Sequence, residues 1–261
     1  MRFETDFRTL LPQPWRLTEI GLGKIAQNSN QLILTLPPAA PHVYHDAQIT
    51  DYVTASDFRW RPPLHMELIA SAQTTPDWGL IGTAGFGFWN HPFMPGERGF
   101  RLPQAIWFFF SSPPSRIELA QCVPGAGWKA AVLDARRWQF LALLPTAPIG
   151  FLLMRSSVLY RHLWPFAQDA LGVREHLLDP SLLLTKHRYG INWQTDSIAF
   201  TLDDVKVMQT SFVPRGPLGF IAWVDNQYAI VTPQGKFGSG LVAVENPQSL
   251  VLEKISIWST E

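Results

Sequence analysis

The chain has 261 residues, of which 46% are hydrophobic and 16% charged, with 21 Lys and Arg against 21 Asp and Glu. That apolar content excludes disorder as a general description. A formal net charge of zero, without a basic block, argues against a nucleic-acid-binding surface or a steering field for an acidic partner. A single cysteine, Cys122, excludes an internal disulfide framework and a cysteine-based zinc site, and it reads as a half-buried structural residue.

The first residues, "MRFETDFRTLLPQPW", carry charges where a signal peptide needs an apolar core. The run "GLGKIAQ" at 21–27 lacks the further glycine and the βαβ setting of a nucleotide fingerprint. Short apolar runs then follow one another: "QLILTLPP", "LHMELIASA", "AGFGFWN", "AIWFFFSS", "RIELAQ", "WKAAVLDA". Each is bounded by Pro, Gly, Asn or Asp, as strands are. In "HDAQITDY" (45–52), Asp46, Gln48 and Thr50 share one face of a strand, and the row reads as the solvated face of an edge strand.

From 148 to 179 the period changes. Leu152, Leu159, Leu163, Phe166 and Ala170 fall near one helical face, Pro165 interrupts the pattern and Gly172 supplies a stop. The spacing predicts a helical insertion of one or two helices. Arg155, Arg161 and His162 break this apolar stretch below the roughly 20 residues of a membrane span. The expectation is a cytoplasmic protein with no membrane span, one domain over 1–261 with the insertion at 148–179.

The segment "KHRYGINWQTDSIAFTLDDVKVMQTS" places His187, Tyr189, Ile191 and Trp193 on one strand face. Ile198, Phe200 and Leu202 alternate on the next strand. It resembles the H-x-Y-x-I-x-W … D-x-I-x-F-x-V-D-G hairpin of the concanavalin A-like lectins and glucanases, above all the laminarinase- and lichenase-type glucanases. It departs at Asp204, where that pattern has Gly; Asp reaches positive φ at some cost. "LVLEKISIW" suits the closing strand of the same fold. The resemblance implies an all-β fold, an antiparallel sandwich or jelly roll of two large sheets, one concave and carrying the ligand.

In those glucanases a concave-sheet strand carries E-x-D-x-x-E, the paired carboxylates of a retaining mechanism. By strand order, "GFGFWN" (85–90) precedes that strand here and "QAIWFFFSS" (104–112) stands in its place, without a carboxylate. The implication is that glucanase chemistry is absent. Ile106, Phe108 and Phe110 then face the core, and Ala105, Trp107, Phe109 and Ser111 form the concave floor.

The candidate ligand-binding residues are Trp89, Asn90, Gln104, Trp107, Phe109, Trp223 and Asn226, aromatic faces with amides that donate and accept. Asp225-Asn226 also reads as a turn, and Asn90 with His91 as a strand end. Asp225, Asp46 and Glu67 are weaker candidates for proton transfer. The seven His do not cluster and no metal or cofactor motif occurs, so no metal or cofactor is expected. Three functions stay open: a binding protein for a carbohydrate or compact apolar molecule, an enzyme of other chemistry in a lidded apolar pocket, and a structural protein that docks a partner or a membrane. The apolar stripe of the insertion must be buried against something, and the expected site is the Trp107–Phe109 floor, with the helices as its lid.

Overall fold

The computed structural model describes residues 2–9, 11–75, 79–94, 96, 97 and 99–259. Its strands, in chain order, are β1 (Arg2–Thr5), β2 (Arg16–Ile20), β3 (Lys24–Asn28), β4 (Gln31–Leu36), β5 (Asp46–Thr50), β6 (Leu64–Gln73), β7 (Thr83–Trp89), β8 (Gln104–Ser111), β9 (Arg116–Ile117) and β10 (Gly127–Asp134). Three helices follow, α1 (Trp138–Leu143), α2 (Ala147–Leu153) and α3 (Ser157–Ala170). After them come β11 (Arg174–Leu178), β12 (His187–Trp193), β13 (Ile198–Leu202), β14 (Val205–Thr210), β15 (Gly219–Asp225), β16 (Gln227–Val231), β17 (Phe237–Leu241) and β18 (Gln248–Ser259).

The back sheet runs β14-β13-β12-β6-β18-β4-β3, with β1 also on β18, and the front sheet runs β11-β10-β8-β7-β15-β5-β2. A third, small sheet joins β17, β16 and β9. Period-two alternation decides what lies between the large sheets. In β6, Leu64, Met66, Leu68 and Ala70 are buried while His65 and Glu67 lie on the outer side. In the front sheet, Phe86, Phe88, Ile106, Phe108, Trp128 and Phe220 point inward and are fully buried. Rings from the two sheets meet directly: Phe86 with Tyr189 at 4.9 Å, Phe108 with Phe200 at 5.2 Å and Phe88 with Trp193 at 5.8 Å. This is the face-to-face core of a sandwich.

The hairpin at 187–202 forms as its pattern predicts, with Tyr189, Ile191, Trp193, Ile198 and Phe200 all buried. Asp203 and Asp204 adopt φ of 47° and 67° at the following turn. Hydrogen bonds offset that strain: the Asp203 carboxylate accepts the Arg188 N–H at 2.9 Å and meets His187 Nδ1 at 2.5 Å. The Arg188 amide, followed by His187, holds the Asp203 carboxyl below its ordinary pKa.

The insertion differs from its expected bounds. Helix begins at Trp138, not 148, because "FLALL" is apolar at every position and shows no period to read. It ends at Ala170, with Gly172 at φ 65° as the stop, and Arg174–Leu178 is a strand at the edge of the front sheet. Its apolar stripe is not buried: Leu152 is 62%, Leu159 37%, Leu163 37% and Phe166 73% exposed. The helices dock instead through Trp164, whose Nε1 donates to Leu119 O at 3.0 Å, and through Gln168, whose Oε1 accepts the Gln121 N–H at 2.8 Å. The lid reading fails for that reason, since the side of α3 that packs is Tyr160, Trp164 and Gln168. Two smaller expectations also change. Cys122 is exposed, at a turn with φ 63°. β5 is not an edge strand, because β2 pairs outside it and its Asp46 and Thr50 are buried.

Candidate functional site

The outer face of the front sheet is built by alternate residues of β7, β8, β15 and their neighbours. Cross-strand register aligns Trp223, Gly85, Phe109 and Lys129 in one row, Ile221, Gly87, Trp107 and Ala131 in the next, and Gly219, Trp89, Ala105 and Leu133 in a third. Four rings join across these rows. Trp107 stacks on Phe109 at 5.3 Å, meets Trp223 at 5.5 Å and Trp89 at 5.8 Å, and Phe109 lies 6.0 Å from Trp223. The two glycines of "GFGF" are required here. A Cβ on Gly85 would lie 2.9 Å from Trp223 Cη2, and one on Gly87 2.7 Å from Trp107 Cβ. Trp89, Trp107 and Phe109 remain half-buried, so the floor is reachable.

The floor is oriented at one end by polar contacts. Trp89 Nε1 donates to Tyr52 Oη at 2.6 Å, and the His91 ring stacks on Trp89 at 4.4 Å. Burial, with Arg101 nearby, lowers the His91 pKa to about 4, so the imidazole is neutral at pH 7.

The amides expected to serve a ligand are engaged elsewhere. Asn226 is fully buried; its Oδ1 accepts the His45 N–H, and its Nδ2 donates to Val43 O and Val242 O. Asn90 Nδ2 donates to Leu102 O and its Oδ1 accepts the Gln104 N–H, which ties the end of β7 to the start of β8. Both side chains stabilise backbone. Gln104 Nε2 donates to Asp134 Oδ1 at 2.7 Å. Gln104 sits in a separate cleft of about 580 Å³ with Asp134, Arg136, Trp138 and Arg215, at the end of the sandwich. Glu67 lies on the outer side of the back sheet, across the core from the floor, because β6 turns its odd residues outward.

Asp46 and Asp225 do come together. They are direct cross-strand partners of β5 and β15, on the floor's own face, and both are buried. Thr83 Oγ1 donates to Asp225 Oδ1 at 2.7 Å and in turn accepts from Trp223 Nε1 at 2.9 Å, so the pair is wired to a floor ring. Gln227 N–H and Tyr44 also hydrogen-bond Asp225. Among the described residues Asp46 Oδ1 has no hydrogen-bond partner. Burial, then the Asp225 charge, pushes the Asp46 pKa up to about 8. Burial raises Asp225 to about 6, and the Thr83 hydrogen bond opposes it. With the donors aimed at Asp225, the charge sits there and the proton on Asp46.

A pH dependence follows. An acid whose folded pKa lies above its unfolded value of 3.8 makes the native state bind the extra proton, so its stabilising share is full at low pH and is lost as pH rises toward 8. Asp46→Asn, which imitates the protonated form, is expected to melt close to the parent near pH 5 and several degrees higher near pH 9. Thermal melts across that range check it; identical profiles would mean the two carboxylates share no proton.

Sequence reading missed four members of this face: Tyr44, Thr83, Lys129 and Glu175. Lys129 carried a signal, a lone charge inside the otherwise apolar "WKAAVL". It is buried, with Nζ 3.1 Å from Glu175 Oε2 and 3.4 Å from Ile117 O, so β9 is held over the β10 side of the face. Burial raises the Glu175 pKa, and Lys129 opposes that rise.

No family model matches the sequence, and no curated protein matches it. Solved structures do match in shape. A Bacillus licheniformis β-glucanase covers 100% of this chain and 98% of its own at TM-score 0.52 and 10% identity. A laminarinase from Flavobacterium sp. UMI-01 covers 98% and 99% at TM-score 0.52 and 10% identity. An endo-acting O-glycanase of the human gut microbiota covers 99% and 99% at TM-score 0.55 and 9% identity. The chain therefore has the concanavalin A-like jelly-roll fold of the glucanases, with a helical insertion between β10 and β11.

Proposed function

We propose that the protein binds a carbohydrate on the outer face of the front sheet and does not cleave it. The observation that carries this reading is the four-ring floor of Trp89, Trp107, Phe109 and Trp223. By strand order β8 stands in the place of the acid-bearing strand of the glucanases that the chain resembles, and its outward residues are Ala105, Trp107, Phe109 and Ser111. Without a carboxylate pair on that strand, neither protonation of a leaving oxygen nor attack at the anomeric carbon has a group to perform it there. The half-buried rings of Trp89, Trp107 and Phe109, backed by the buried Trp223, offer an aromatic surface that suits the apolar C–H face of a sugar ring. Fold alone does not fix function; the glycan-active structures of like shape support the ligand class.

The test is titration calorimetry with laminarin, lichenan and mucin O-glycans, alongside a reducing-sugar assay. Binding to at least one glycan, weakened about tenfold or more by Trp107→Ala, is the expected result, since one buried aromatic contact contributes about 1.5–3 kcal/mol. No reducing sugar should be released. A second reading, an acid–base enzyme, is favoured by one observation, the Asp46–Asp225 pair beside Trp223. Sugar release abolished by Asp225→Asn would establish that reading and sink the first.

A further inference from the structure

The helical insertion has its polarity inverted. In α3 the packed side is Tyr160, Trp164 and Gln168, while Val158, Leu159, Leu163 and Phe166 form one contiguous stripe turned to solvent. The neighbouring elements extend it. Trp138 of α1 is 72% exposed, Ile149 of α2 65% and Phe237 on the β16–β17 hairpin 64%. Phe237 belongs to the same surface, because its ring meets Phe151 of α2 at 5.5 Å. So many large apolar side chains turned to solvent on one insertion and its neighbouring hairpin mark an interaction surface.

Charge selects what covers it. From Arg136 to the end of α3 at Ala170 the chain carries Arg136, Arg137, Arg155 and Arg161 against a single acid, Asp169, which pairs with Arg174 at 2.9 Å. The remainder then holds 17 Lys and Arg against 20 acids, so a cationic foot stands on an anionic body. A second copy presenting the same face would set these arginines against each other. An anionic bilayer surface complements both properties at once, accepting the Trp, Phe and aliphatic side chains at the headgroup boundary and pairing the exposed Arg155 and Arg161 with lipid phosphates. Among the described residues no helix is long and apolar enough to cross a membrane, and α3 has 14 residues, so the contact lies in the interface plane.

We propose that α1–α3, with the tip of the β16–β17 hairpin, dock the protein onto an anionic membrane surface. Docking through the insertion leaves the jelly roll outside the bilayer, tethered by a segment that packs on loop 118–123 rather than on the ring floor.

The experiment is co-sedimentation with extruded vesicles of phosphatidylcholine, with and without about 30% phosphatidylglycerol. The parent should bind the anionic vesicles, and bind the neutral ones and the anionic ones in high salt more weakly. Ile149→Ser with Phe166→Ser should weaken binding at least tenfold, and Arg155→Glu with Arg161→Glu should do so selectively on anionic vesicles. All four positions are exposed, so unchanged melting confirms that folding is intact. Parent protein that stays in the supernatant with anionic vesicles overturns the proposal. So does binding indifferent to both double variants. A dimer in sedimentation velocity that Ile149→Ser with Phe166→Ser dissolves, without vesicle binding, would assign the face to self-association instead. Glycan binding by the ring floor is measured separately and neither supports nor sinks this result.

Discussion

Replacing Trp193 by alanine is expected to lower the free energy of unfolding by about 3–5 kcal/mol, the usual range for truncating a large buried aromatic. Trp193 is wholly buried at the end of β12, where its ring meets Phe88 of the opposite sheet at 5.8 Å. Its Nε1 donates to Pro214 O at 3.1 Å, so the truncation leaves both a void and a buried carbonyl without its donor. Gly216, whose Cβ would come within 3.4 Å of Trp193 Cη2, marks how closely the loop is moulded on the ring. Urea unfolding measures the loss, and Trp193→Phe should recover part of it by filling most of the volume while still lacking the donor. A change near zero for Trp193→Ala would remove the hairpin from its place as the bond between the sheets.

That hairpin was also the most legible part of the sequence, for the same reason. Tyr189, Ile191, Trp193, Ile198 and Phe200 each face a buried neighbour, so alternation had to be strict, and a one-residue slip would expose the whole set. The run "QAIWFFFSS" was legible too. Its near-continuous apolar character reflects two occupied faces, with Ile106, Phe108 and Phe110 in the core and Trp107 and Phe109 in the ring floor. The amides were misread because residue type reports capacity for hydrogen bonding, not its direction. Asn226 and Asn90 have the donors and acceptors a ligand would want, and the nearby backbone uses them. The helices were misplaced by an assumption about burial. Amphipathic spacing shows which residues share a side of a helix but not what lies against them, and Phe166 and Leu152 face outward rather than onto the Trp107–Phe109 floor. The pairing of Asp46 with Asp225 joins residues remote in sequence through the β5–β15 register, which composition and spacing do not encode.

Lys129→Met should cost a comparable amount, about 3–5 kcal/mol near pH 8, because it strands a buried carboxylate. Lys129 and Glu175 side chains are 2% and 7% exposed, and their 3.1 Å contact is what offsets the desolvation of each. Burial already raises the Glu175 pKa, and Lys129 is what restrains it; without the cation it climbs further. The sign then fixes the pH profile. A carboxyl raised above its unfolded pKa contributes more stability when protonated, and loses that contribution as pH increases. The cost of Lys129→Met should therefore shrink as pH falls and Glu175 takes up a proton, and be larger at pH 8 than at pH 5. Lys129→Met with Glu175→Leu replaces both charges by apolar volume and should return most of the loss, or exceed the parent. Urea denaturation of the parent, single and double variants at the two pH values decides it. A penalty for Lys129→Met that is the same at both, and that the second substitution does not relieve, would mean that the lysine acts through Ile117 O and its packing beside Phe109 rather than through the ion pair.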